Sequence, residues 1–248
     1  MFALDVSSSN LARDFTPNRI QAAKDVAARF IADRPNDRIG LVVFAGESFT
    51  QSPLTTDKAT LQTLLGQIQT GMIEDGTAIG NGLATAVNRL KESTAKSRVI
   101  ILLTDGVNNS GQIAPVTAAE IAQSYGIRVY TIGVGTMGTA PSPAYDMFGR
   151  LVYIPQKVEI DEQVLTDIAA STGGEYFRAT DNQTLAEVYS RINDLETTKI
   201  ETSEFTRNTE LCGMFMLVAL ALPVGEFLLR ALWLRRIPSG GGRRRQNV

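Results

Sequence analysis

The sequence predicts an α/β fold: a doubly wound, mostly parallel sheet with helices on both faces, followed by a C-terminal transmembrane helix. Three observations carry this. Short apolar runs rich in β-branched residues recur before residue 135, which is how strands buried on both faces read. Amphipathic stretches with helical spacing separate them, and such alternation produces parallel pairing with covering helices. A later run, 211–234, carries no charge up to Gly225.

Each element has its own signal. "FALD" reads as a first strand, with "VSSSN" as the loop leaving it. Only Met1 to Leu4 precede Asp5, fewer than the ~5–6 residues of an average strand, so the sequence predicts a first strand cut short and a natural start further upstream. "TPNRIQAAKDVAARFIADR" predicts a helix with Thr16 as N-cap and Pro17 at its first position, its apolar stripe running through Ile20, Ala23, Ala27, Phe30 and Ile31. "RIGLVVF" (38–44), "RVIILLT" (98–104) and "IRVYTIGV" (127–134) predict buried strands. "FAGESFTQ" reads as a tight reversal into an antiparallel edge strand around 48–53. "AIGNGLATAVNRLKES" and "VTAAEIAQSYG" predict helices, the second stopped by Gly126. The Gly- and Pro-rich stretch 136–155 breaks the rhythm and predicts an inserted surface loop or hairpin. "DEQVLTDIAASTGG" predicts a helix ended by Gly173 and Gly174, "EYFRA" a last strand, and "NQTLAEVYSRINDLE" a last amphipathic helix. The globular domain is thus expected over 1–198, with a linker over 199–210.

Composition excludes several chemistries. The 248 residues are 44% apolar and 20% charged, with a net charge of -2, which gives no reason to expect nucleic acid as a partner. There is no histidine, which removes serine–histidine and cysteine–histidine nucleophiles and most zinc and non-haem iron sites. The single cysteine, Cys212, has no disulfide partner within one chain. A metal here has to be held by oxygen, which points to Mg²⁺, with Mn²⁺ or Ca²⁺ as alternatives.

The run 211–234 is long enough to cross a hydrocarbon core of ~30 Å. Pro223, Glu226 and Arg230 interrupt it, so a buried or interfacial helix is the other reading. Pro is tolerated in spans, and Glu226 and Arg230, four apart, can pair on one face. Arg235, Arg236 and Arg243 to Arg245 follow directly. The positive-inside rule places this tail, 235–248, in the cytoplasm and the globular domain on the other side.

Oxygen-bearing side chains gather where strands end. Asp5, Ser7 and Ser9 leave the first strand, Thr77 of "EDGTAIG" precedes a helix, and Asp105 of "LLTDGVNN" ends the most apolar strand. Ligands of open parallel sheets sit beyond the carboxyl ends of the strands, so three loops can converge there. The alternative for the serines alone is turn and cap chemistry. Asn108 and Asn109 read as rim residues, and Asp75 as a solvated turn residue or an outer carboxylate.

These residues resemble the metal-ion-dependent adhesion site of the von Willebrand factor type A (VWA) family: D-x-S-x-S, then a threonine, then an aspartate commonly followed by glycine. Asp5, Ser7 and Ser9 match the first element, Thr77 the second and Asp105 the third. "RIGLVVFAGESFTQSPLTTD", "DGTAIG", "VEIDEQVLTDIAASTGGEYFRATD" and the span ending "LRRIP" are similar to the membrane-anchored bacterial Bat (aerotolerance) proteins. The resemblance implies that the serines and threonine bind Mg²⁺ directly and the aspartates act through water. It implies a non-enzymatic module that captures a partner protein's aspartate or glutamate. It also implies an inner-membrane location with the domain on the periplasmic side, in a complex linked to envelope or oxidative stress. Other membrane Bat-like proteins and a MoxR-type AAA+ ATPase are the implied partners. The competing class is a metal-assisted phosphoester hydrolase. Against it, the sequence shows no nucleophile beside a base and no GxxxxGK[ST] loop.

Overall fold

The structure is a computed structural model that describes residues 1–148 and 150–203, together with Pro223. Its elements in order are β1 (Phe2–Asp5), a 3-10 turn (Ser8–Leu11), α1 (Arg19–Ala32), β2 (Ile39–Phe44), β3 (Ser48–Thr55), α2 (Lys58–Gly66), α3 (Ile79–Leu90) and β4 (Val99–Thr104). There follow α4 (Pro115–Ser124), β5 (Arg128–Val134), β6 (Thr139–Tyr145), β7 (Leu151–Lys157), α5 (Glu162–Thr172), β8 (Tyr176–Ala179) and α6 (Asn182–Ser203).

Successive side chains of a strand point to opposite faces, and in the central strands both sets are apolar. Phe2 and Leu4 of β1, Leu41 and Val43 of β2, and Ile101 and Leu103 of β4 pack into one core with α1, α2 and α6. Ala3, Val42, Phe44, Ile100 and Leu102 point the other way, into a second core with α3, α4 and α5. The continuous apolar runs in the sequence are therefore strands buried on both faces.

The main sheet has the order β3-β2-β1-β4-β5-β8. β1 pairs in parallel with both β2 and β4, with Asp5 opposite Phe44 and Leu4 opposite Leu103. β3 is antiparallel to β2, as predicted for the edge. From β1 the chain winds outward to β2 and β3, then returns across the sheet to β4 on the other side of β1. The strand order reverses between β1 and β4, and the crevice beyond their carboxyl ends is where such a sheet offers a ligand site.

Close backbone packing fixes α3 over this crevice. A Cβ on Gly80 would stand 1.9 Å from the Ile113 carbonyl oxygen, and one on Gly82 would stand 2.5 Å from the Phe44 ring. Only glycine lets this helix lie so near the sheet and the loop after β4. The stretch predicted as a loop or hairpin is a hairpin: β6 and β7 pair from Thr139 opposite Lys157 to Tyr145 opposite Leu151.

Two local expectations are corrected. α1 begins at Arg19, and its N-cap is Asn18, whose side chain accepts from the Gln21 amide at 2.9 Å. Thr16 instead meets Asn182 through its backbone, its N–H donating to the side-chain oxygen and its carbonyl accepting from Nδ2. α2 has no counterpart among the predicted elements. Its Leu61 and Leu65 are buried, Leu64 packs against the core and Ile68 follows, an i, i+3, i+4, i+7 spacing that marks a short helix.

The predicted span 211–234, apart from Pro223, and the tail 235–248 lie outside the described residues. So does 204–210 of the predicted linker, while α6 continues to Ser203. Among the described residues no helix is long and apolar enough to cross a membrane.

The reassigned cap is testable by thermal unfolding. Asn18→Ala should lower stability by about 0.5–2 kcal/mol, the usual cost of a lost N-cap. Thr16→Ala, which keeps the backbone contacts, should change it by less than about 0.5 kcal/mol. The reverse ranking would restore Thr16 as the cap.

Candidate functional site

The last residue of β1 spans the crevice. Asp5 Oδ1 accepts from the Ser7 amide at 2.9 Å, and Oδ2 accepts from the Thr104 hydroxyl, at the end of β4, at 2.6 Å. Asp5 and Ser7 are buried beneath the site, while Ser9 is exposed. The 3-10 turn brings the Ser7 and Ser9 hydroxyls to 3.0 Å from each other. Ser9 Oγ donates to Asp105 Oδ1 at 2.6 Å, which joins the first loop to the third.

Thr77 reaches the same place from the N-terminal side of α3. Its amide donates to Asn109 Oδ1 at 2.8 Å, and its carbonyl accepts from the Asn109 and Ser110 amides. With the backbone thus engaged, the hydroxyl is the group Thr77 offers. A Cβ on Gly106 would stand 3.4 Å from that hydroxyl. Ser9, Thr77 and Asp105 line one cleft of about 250 Å³, whose other wall is Ser142 of β6 and Gln156 and Lys157 of β7. A larger cavity, about 370 Å³, lies by the opposite ends of the strands beside Met1, Phe30 and Leu90, and contains none of the predicted residues.

Sequence reasoning missed several contributors. Arg19 is buried and places Nη1 2.7 Å from Asp105 Oδ2. Its Nε and Nη2 hold both oxygens of Asp14, at 2.8 and 2.7 Å. Asn10 donates to Ser7 Oγ and Asp105 Oδ1. Asp75, expected as a solvated turn residue or an outer carboxylate, accepts from the amide and hydroxyl of Ser8 and ties the loop before α3 to the first loop. One signal was available: Arg19, Ala23 and Val26 follow helical spacing, and all three are buried. A charge in phase with an apolar stripe needs a buried partner. Asn109, expected at the rim, instead positions Thr77 by accepting from its amide.

The electrostatics follow from burial. Asp5 is pushed up to about 7, first by loss of water and then by the negative charge of Asp105, against the hydrogen bonds from Ser7 and Thr104. Asp105 is also raised by burial, against the opposing pull of the Arg19 guanidinium and the Ser9 hydroxyl. Burial also acts to raise Asp14, but Arg19 and the Thr136 amide outweigh it and hold Asp14 below the usual carboxylate range. Asp5, Asp14 and Asp105 face a single guanidinium, Arg19, which pairs with Asp14 and Asp105, so the site is short of positive charge. Its hydroxyl and carboxylate oxygens are hard donors that could surround a small divalent cation.

The sequence model of the von Willebrand factor type A domain matches residues 1–191. The chain belongs to that family. Among solved structures, this VWA domain is similar to an aerotolerance-related membrane protein from Bacteroides fragilis carrying multiple mutations to serine, with 33% identity and a TM-score of 0.67. The match covers 78% of this chain and 96% of that one. BatB from Bacteroides thetaiotaomicron is alike to the same degree, 33% identical at a TM-score of 0.67, over 79% of this chain and 97% of that one. Proximal thread matrix protein 1 from the mussel byssus, solved with a zinc-occupied adhesion-site motif, is 25% identical at a TM-score of 0.60. That match covers 79% of this chain and 44% of the mussel protein.

The buried Asp5 predicts a pH signature in excess chelator. Its folded value, about 7, lies above its ordinary 3.8, so between these the folded state binds the proton more tightly. Stability from this group is full below about 4 and is lost as pH rises through 7. Asp105, also raised by burial, titrates beside it and adds to the pH dependence of the whole domain. The measurement is therefore a difference. From pH 5 to 7.5 the unaltered domain should lose melting temperature relative to Asp5→Asn. Parallel profiles would mean that Asp5 is not held in a costly ionised state.

Proposed function

We propose that this VWA domain is a protein-binding module that captures partners through a divalent metal ion held by Asp5, Ser7, Ser9, Thr77 and Asp105. The carrying observation is the convergence of three loops at the point where the strand order reverses, with three hydroxyls and two carboxylates in one crevice. A hydroxyl contributes a lone pair without charge, so such a donor set binds a cation without saturating it. When bound, the ion supplies a position for an anionic ligand, the aspartate or glutamate of another protein. The oxygen-only donor set favours Mg²⁺, with Mn²⁺ or Ca²⁺ also acceptable. The zinc in the mussel protein's motif supports a divalent ion.

In this reading residues 1–198 form the binding domain, 199–210 a linker, 211–234 a membrane anchor and 235–248 a cytoplasmic tail. The domain then works on the periplasmic side of the inner membrane, with other Bat-like membrane proteins and a MoxR-type AAA+ ATPase as partners in an envelope or oxidative-stress complex. The arginines after the run and the description of the Bacteroides fragilis relative as a membrane protein support this.

One contact favours a second reading, metal-assisted phosphoester hydrolysis: the Ser9 hydroxyl lies against Asp105, a nucleophile–base pair that sequence did not reveal. Arg19 and Asn10 also draw on that carboxylate, which weakens it as a proton acceptor. Turnover of p-nitrophenyl phosphate with Mg²⁺, abolished by Ser9→Ala, would favour hydrolysis over capture.

Calorimetric titration of Mg²⁺ and a pull-down from membrane extract test the main reading. Ser9→Ala and Thr77→Ala should each weaken metal binding by on the order of 10–100-fold, as loss of metal-site partners does. Folding should change by no more than about 2 kcal/mol. Unaltered Mg²⁺ affinity in both variants, or partner capture that persists in excess chelator, would overturn the proposal. A reporter fused after Val248 should behave as cytoplasmic, and external protease on sealed spheroplasts should cleave the domain while sparing the tail.

A further inference from the structure

We infer that Arg19 is a specificity-determining residue of this site: its guanidinium offsets one of the two site carboxylates, so that a bound divalent cation keeps enough unneutralised charge to take a carboxylate from outside. The inference rests on the metal-dependent reading above and names a residue that lies outside the D-x-S-x-S, Thr, Asp pattern.

The geometry is specific. Arg19 Nη1 lies 2.7 Å from Asp105 Oδ2, while Asp105 Oδ1 already accepts from Ser9 and Asn10. Both oxygens of Asp105 are therefore engaged by the chain itself. The side chains of Arg19 and Asp105 are 4% and 0% exposed, so water screens their attraction little. Arg19 also lines the cleft with Ser9 and Thr77, within reach of the field of whatever sits there. Asp14 takes the far side of the guanidinium, on Nε and Nη2, and is itself fixed by the Thr136 amide at 2.8 Å. Gly135 makes room: a Cβ there would come 3.2 Å from the Arg19 Cζ. The guanidinium is thus held between two loops with one edge turned to the site.

Charge decides the consequence. Asp5 and Asp105, both ionised, would by themselves match the charge of a divalent ion, leaving little attraction for a further anion. Arg19 turns its Nη1 edge to Asp105 while the ionised Asp14 holds the far edge, so three carboxylates and one guanidinium still sum to -2, but the positive charge lies on the side of the site and offsets Asp105 there. Metal binding is then weaker than two free carboxylates would give, and capture of an external carboxylate is stronger. A merely structural arginine predicts something different, since its loss would loosen the site and weaken both events together.

The test uses the full chain, with Mn²⁺ titrated calorimetrically and acetate as the external carboxylate, its contact with the ion read from paramagnetic relaxation of ¹³C-acetate. Arg19→Met should tighten Mn²⁺ and weaken acetate, each by on the order of tenfold for a unit charge at this range. Asp14→Asn, which removes a negative charge from the far side of the guanidinium, should move both quantities the opposite way by a few-fold. If Arg19→Met does not fold, Asp14→Asn alone decides, because only the charge argument predicts weaker metal binding together with stronger acetate binding. Metal and acetate affinities that fall together in the variants that fold, or an unchanged acetate affinity, would overturn the inference while leaving the metal site intact. Failure of the unaltered chain to take up Mn²⁺ at all would instead overturn the proposed function, and the inference with it.

Discussion

Asp5 and Asp105 stand out of water at the carboxyl ends of two adjacent parallel strands, and most of the surrounding architecture can be understood as what makes that arrangement tolerable. An isolated buried carboxylate is strongly disfavoured in its charged form. Here Asp5 is met by the Ser7 amide and Thr104 hydroxyl, and Asp105 by Ser9, Asn10 and Arg19. These donors come from the first loop, from the end of β4 and from the start of α1. If β1 and β4 were not neighbours in register, the Thr104 bond could not exist. The sheet order is therefore a condition of the site.

The same constraint explains why the loops around the crevice are tied to one another and not only to the sheet. Asp75 holds Ser8, Asn109 holds Thr77, and Thr136 holds Asp14, so each site loop is anchored by another loop. The hairpin of β6 and β7 joins this network through the Arg13 amide, which donates to the Pro141 carbonyl, and through the Arg13 guanidinium over the Tyr153 ring at 3.8 Å. It brings Lys157 to the cleft and leaves Met147, Phe148 and Leu151 exposed nearby in the chain. The cleft thus has polar oxygens on one wall and this hairpin on the other, two unlike surfaces.

Legibility in the sequence followed the physical origin of each feature. β2, β4 and β5 were legible because burial on both faces demands uninterrupted apolar runs, and α5 because Gly173 adopts the left-handed conformation that ends a helix. The five candidate residues could be picked out because Asp5 ends β1, Ser7, Ser9 and Asp105 lie just beyond a strand, and Thr77 just before a helix. α2 carried a helical trace too, Leu61, Leu64, Leu65 and Ile68 at i, i+3, i+4 and i+7, but over a run of only nine helical residues. The cap of α1 was misplaced because Thr16 and Asn18 are both good caps, and the choice depends on which side chain faces the first free amide.

By itself the sequence determined the fold class, because alternation of apolar and amphipathic runs admits few other folds, and a chain without histidine narrowed any metal donor to oxygen. Tertiary structure alone decided which charges meet. Arg19 and Asp105 are 86 positions apart, and no local rule links a helix start to a strand end. Their contact exists because α1 packs against the face of the sheet beside β1 and β4, and a buried guanidinium has to find its counter-charge there.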